Sequence, residues 1–150
     1  MDRSPNIPPL SLIFGYGPVL LLLLLAVASW LLPVESGRWA VAGAWLWGSA
    51  ILLFLSGVTR GLSFATDGGP RPRQIVLMML LFLLGLAALA TPLTVAFPLL
   101  AIGYALVGAN DPSAARQGLA PAHFARLRPP QMAIAVVALA ALAGRVLTAG

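Results

Sequence analysis

The chain has 150 residues, 60% hydrophobic and 9% charged, with a mean hydropathy of +0.96 and a formal charge of +5. A soluble globular chain carries about 25% charged residues, so most of this surface has to face something other than water. All nine basic residues are arginine, scattered among apolar segments in a way that excludes a phosphate-tracking nucleic-acid face, and the absence of cysteine removes disulfides, thiolate metal sites, iron–sulfur clusters and cysteine nucleophiles together.

The length suits one domain. Abundant Ala, Leu and Gly beside arginine as the only basic residue point to a GC-rich bacterial genome. Five apolar stretches are long enough to cross a hydrocarbon core, near 10–32, 39–62, 74–90, 92–109 and 130–147. Helix is expected for each, because a helix satisfies its own backbone in lipid. Within the first, LLLLLAVASW ends in a small-residue pattern that resembles a signal-peptidase site. Its flank carries only Arg3 against Asp2, however, and the apolar stretch is longer than a signal h-region, so it reads as a span. Thr91-Pro92 is all that separates the third and fourth stretches, which makes them a tight hairpin.

With five spans, the amino end and the 63–73 and 110–129 loops share one side. That side collects seven of the nine arginines and leaves Arg38 and Arg145 on the other. Cytoplasmic loops are rich in Lys and Arg. The expectation is therefore an all-α integral membrane protein of five transmembrane helices, amino terminus inside and carboxyl terminus outside, in a bacterial inner membrane.

The second span holds the strongest pattern. Ser49, Ser56, Arg60 and Ser63 fall on one helical face, and Gly43, Ala50, Gly57 and Gly61 form a neighbouring small-residue stripe ending in Gly-x-x-x-Gly. These residues are expected at a helix-packing or partner interface, with this helix at the centre of the bundle. Arg60 reads first as a topological anchor, its stem in apolar surroundings and its guanidinium at the headgroups. The other reading pairs it with Asp111 across the second and fourth helices. Trp30, Trp39, Trp45 and Trp47 cluster toward the opposite end, as in an interfacial belt.

Trp47-Gly48-Ser49-Ala50 and the run from Phe54 to Gly61, followed by Asn110-Asp111-Pro112, Ala120-Pro121, Phe124 and Leu127-Arg128, resemble a family of small multi-pass bacterial inner-membrane proteins of unknown function. A mitochondrial transmembrane protein of animals is similar to that family. The resemblance covers roughly 39–147. The family pattern has a glycine pair where Ser56-Gly57 stands and a basic residue followed by an aromatic where Thr59-Arg60 stands, and this chain departs at both places. As the family has no established activity, the resemblance implies the topology and no mechanism.

No Asp, Glu, Lys or His falls in the middle of an expected span, which argues against a proton-coupled pump or transporter acting alone. The one histidine, His123, has no second His or Cys with which to share a metal and reads as an interfacial side chain beside Phe124. No cofactor is expected. The acids Asp2, Glu35, Asp67 and Asp111 lie in loops or at span ends, Asp111 before Pro112 where a turn is expected. Ser49 and Ser56 have no base to activate them, so an enzyme is not expected. The 112–130 stretch mixes Leu119, Phe124 and Leu127 with Arg116, Arg126 and Arg128. With Arg71 and Arg73 it suits anionic headgroups or a docking partner.

The function expected is a non-catalytic accessory subunit or assembly factor of a larger inner-membrane complex, respiratory or photosynthetic. Its partners would be other integral membrane subunits and lipids, and no nucleic acid. The rivals are a small-solute channel or transporter acting as a homo-oligomer, with Ser49 and Ser56 lining a path, and a lipid-binding protein holding its lipid near Arg60 and Arg126.

Overall fold

The computed structural model describes residues 7–149. Five helices follow in order: α1 (Pro9–Leu31), α2 (Val34–Phe64), α3 (Pro72–Ala90), α4 (Leu93–Arg116) and α5 (Phe124–Ala149), with no strand among the described residues. Each is long and apolar enough to cross a membrane, and the chain is a multi-pass helical membrane protein. Asp2 and Arg3 lie outside the described residues. Of the remaining arginines, Arg60, Arg71, Arg73, Arg116, Arg126 and Arg128 belong to one end of the bundle, and Arg38 and Arg145 to the other.

Successive helices are neighbours, and α1 also packs against α5, so the five form a closed ring. A smaller α2–α4 contact crosses its middle. Leu22, Leu52, Phe97, Leu100, Leu139 and Leu142 fill the centre and are fully buried, while Leu24, Phe54, Phe82, Ile102 and Val137 face outward. Lipid tails are as apolar as leucine, so burial alone does not drive helices together in a bilayer; close packing and interhelical hydrogen bonds do.

Both are visible. A Cβ at Gly103 of α4 would stand 2.5 Å from Leu52 Cδ2, and one at Gly85 of α3 would stand 2.9 Å from the Leu53 side chain, so glycine is what admits these leucines of α2. The Tyr104 hydroxyl donates to the Gly48 carbonyl (2.9 Å), joining α4 to α2. The Ser56 hydroxyl donates to the Met78 carbonyl (2.9 Å), joining α2 to α3. Trp45 Nε1 donates to the Ala88 carbonyl (2.7 Å) and Trp47 Nε1 to the Pro18 carbonyl (2.9 Å). Those two indoles therefore tie helices together, as does the more exposed Trp30, whose Nε1 donates to the Ala141 carbonyl of α5 (3.2 Å), whereas Trp39 is exposed. At the far end Arg145 Nε donates to the Ser29 carbonyl (2.9 Å), closing the α1–α5 seam.

Three boundaries differ from expectation: α2 starts at Val34, not 39, and the other two lie around the 110–130 stretch. No turn follows Asp111: α4 runs through Pro112 to Arg116, and α5 starts at Phe124, not 130, and runs through Pro129 and Pro130. A proline deprives one carbonyl of its amide partner, which is cheapest at a span end, where water and headgroups are close. The stop signal lies further on. Gly118 has φ of 72°, the Leu119 amide donates to the Ala114 carbonyl (2.9 Å) and the Gly118 amide to the Ala115 carbonyl (3.1 Å). This paired arrangement closes a helix on a left-handed glycine. Most of the 112–130 stretch is thus helix, with only 117–123 between α4 and α5.

Candidate functional site

The polar residues gather at the arginine-rich end. Carrying α4 through Pro112 and starting α5 at Phe124 brings Asp111 and Arg128 side by side on the most extensively packed helix pair. Arg128 Nε lies 3.1 Å from an Asp111 carboxylate oxygen, and both side chains are nearly buried. The Arg128 guanidinium also sits 4.5 Å from the centre of the Phe124 ring, which His123 meets edge-on at 5.2 Å. Among the described residues this is the single ion pair.

The pairing of Arg60 with Asp111 is thereby overturned. Arg60 turns along its own helix, donating from Nη1 to the Ser63 hydroxyl (3.1 Å) and stacking 4.1 Å from the Phe64 ring centre. Residues three and four positions on are neighbours on a helix surface, so Arg60 meets these partners without any chain crossing. The α2–α4 contact is slight, and it is α5 that lies against Asp111.

The small-residue stripe does not pack within the bundle over most of its length. Gly43 is half-buried, with Leu25 3.6 Å from where its Cβ would be, but Ala50, Gly57 and Gly61 are exposed, and nothing lies within 4 Å of a Cβ at Gly57 or Gly61. Instead α2 buries its serines, Ser49, Ser56 and Ser63, together with Ala44, Gly48, Leu52 and Leu55. Inward serines fit the bundle because short hydroxyls can bond backbone carbonyls. Ser56 does so across to α3 and Ser63 to the Arg60 carbonyl (2.6 Å), while the Ser49 hydroxyl has no partner.

On one flank of the ion pair, the ends of α2, α3 and α4 enclose a cleft of about 250 Å³. Leu62 and Leu77 contribute apolar wall, and Arg71, Arg73, Asn110 and Asp111 the polar side. Arg73 Nη2 donates to Asn110 Oδ1 (3.0 Å). Gln74 braces the corner: its Oε1 accepts the Arg71 amide (2.9 Å) and its Nε2 donates to the Thr66 hydroxyl (3.0 Å). On the other flank a second cleft of about 210 Å³ lies between α1, α2 and α5, lined by Phe14, Phe54, Phe124 and Arg128. Asp111 thus lines the first cleft and its partner Arg128 the second. Arg116 and Arg126 are exposed at the same end.

Three contributors lay outside the expected set. Gln131 on α5 is fully buried against Gly15 of α1, with neither amide nitrogen nor oxygen hydrogen-bonded. It is an amide beside a long apolar run, a signal available to the eye. Asn110 and Tyr104 carry no charge, and their roles depend on which helix lies alongside α4. Among the described residues no three His, Cys, Asp or Glu side chains come together as a metal site.

No family model, curated protein or solved structure matches the chain.

Proposed function

We propose that the chain is a non-catalytic packing subunit or assembly factor of a larger assembly in a bacterial inner membrane. The observation that carries this is the outward stripe on α2. Ala50, Gly57 and Gly61 are exposed, with empty space where the two glycine Cβ atoms would be, beside exposed Phe54 and Phe64. In lipid, a small-residue face of this kind admits another helix to close backbone approach, and none of the helices among the described residues takes that place. Of Ser49 and Ser56, which a solute path along α2 would need, Ser56 is committed to the Met78 carbonyl and Ser49, though without a partner, is fully buried, so the packing reading is preferred to the channel. Placement in the family of small inner-membrane proteins that Trp47–Gly61 resembles is part of the same proposal. The arginine-rich end would face the cytoplasm.

The test is purification from native membranes in mild detergent, followed by mass spectrometry. A partner at fixed stoichiometry, lost from Gly57→Leu while the chain still accumulates, is the expected result. A lone monomer or homo-oligomer from native membranes overturns the proposal.

A further inference from the structure

We propose that the cleft between the ends of α2, α3 and α4 binds the phosphate headgroup of an anionic phospholipid. The inference stands apart from the packing-subunit reading, since it concerns a different face and a different readout. Its basis is an imbalance of charge in a cavity of mixed character. Arg71 and Arg73 line the cleft, and neither has an acidic partner within 4.0 Å among the described residues. The acid that shares the wall, Asp111, is occupied by Arg128 on its other side. Arg73 is held by a neutral acceptor, Asn110 Oδ1 at 3.0 Å, which orients the guanidinium without cancelling its charge. An arginine fixed in this way presents its remaining donors as a rigid fork matched to phosphate oxygens. Arg71 directly precedes the first turn of α3, whose dipole adds positive potential at the same place.

The rest of the cleft selects an amphiphile. Leu62, Leu77 and Leu119 give it apolar walls, which a free inorganic anion would gain nothing by meeting but which suit the glycerol and first methylenes of a lipid. Beyond Arg71, Gln117 and Leu119 the cleft continues into a wider hollow of about 610 Å³ between the 65–71 and 115–122 segments, where Arg116 offsets Asp67 and there is room for the polar part of a headgroup. Basic pockets between spans at a membrane surface are a recognised arrangement for anionic headgroups. Arg60 and Arg126 do not line this cleft, so the site differs from a diffuse basic surface.

The test uses purified full-length protein in a neutral detergent. Thermal stability and native mass are recorded with added phosphatidylglycerol, phosphatidylcholine or inorganic phosphate. Wild type is compared with Arg71→Gln/Arg73→Gln and with the control Arg60→Gln/Arg126→Gln, which removes the same charge from the same end outside the cleft. Phosphatidylglycerol is expected to raise the melting temperature and to be retained on the wild type and the control. Phosphatidylcholine and inorganic phosphate are expected to do neither, and the Arg71/Arg73 variant to lose the phosphatidylglycerol effect. Equal effects in the two double variants overturn the site in favour of diffuse surface attraction. An equal response to inorganic phosphate overturns the lipid in favour of a soluble anion. Should the Arg71/Arg73 variant fail to accumulate, Arg71→Gln and Arg73→Gln are tested singly, and undiminished phosphatidylglycerol retention in both refutes the proposal.

Discussion

Arg60 and Arg128 carry the same guanidinium at the same end of the bundle and do different work. Arg60 contacts only its own helix, through Ser63 and Phe64, and a partly exposed contact of that kind contributes about 0 to 1 kcal/mol. Arg128 is buried and faces Asp111, and removing one partner of a buried pair leaves the other charge desolvated, at about 3 to 5 kcal/mol. Asp111→Ala and Arg128→Ala are each expected to lower detergent stability strongly, whereas Asp111→Leu/Arg128→Met recovers most of the loss. Arg60→Lys and Arg60→Ala should lie close to wild type, and Arg60→Ala combined with Asp111→Asn should be additive within about 0.5 kcal/mol, as for sites without shared partners. Thermal melts of the purified variants check this, and non-additivity between Arg60 and Asp111 would restore the pair that the geometry rejects. Both arginines were legible as span-end charges. Their partners were not, because partner choice depends on which helix lies alongside, and that information is absent from the local spacing of either residue.

At the scale of the element, the five apolar periods and the tight Thr91-Pro92 hairpin could be read directly, since hydrocarbon thickness dictates span length and a proline after Thr91 disfavours helix. The ends of α4 and α5 could not. Asp111-Pro112 and Pro129-Pro130 look like breaks, yet the chain accepts prolines at a span boundary and stops at Gly118, where a left-handed glycine completes the helix cap. The α2 stripe shows the opposite failure: the periodicity of Gly43, Ala50, Gly57 and Gly61 was right, but a small-residue face does not declare whether its neighbour belongs to the same chain. The glycines that matter for the fold are elsewhere. Gly103→Leu is expected to abolish most folded protein, because its first side-chain carbon would stand 2.5 Å from Leu52 Cδ2 in the centre of the ring. Gly57→Leu should accumulate at close to wild-type level, since the space beside it is open. Fluorescence-detected size exclusion of the two variants separates them, and equal loss would place a neighbour against Gly57 that the chain's own helices do not supply.

For the molecule as a whole, the unequal distribution of arginine between the two ends predicts its orientation. A reporter active only outside the cytoplasm should be silent when inserted after Gly69 and active when fused to the carboxyl end, and the reverse pattern would overturn the charge asymmetry as the determinant. The closed ring has a further bearing, on biogenesis. Synthesis delivers α1 first and its partner α5 last, so the groove at Gly15 that receives Gln131, and the Ser29 carbonyl that receives Arg145, stay unclaimed while three intervening helices are made. Contacts between distant parts of a chain form late and leave partly assembled surfaces open in the meantime. A chain truncated after α4 would be an open ring whose exposed seam advertises that it is incomplete, giving membrane proteases a means of telling unfinished molecules from finished ones.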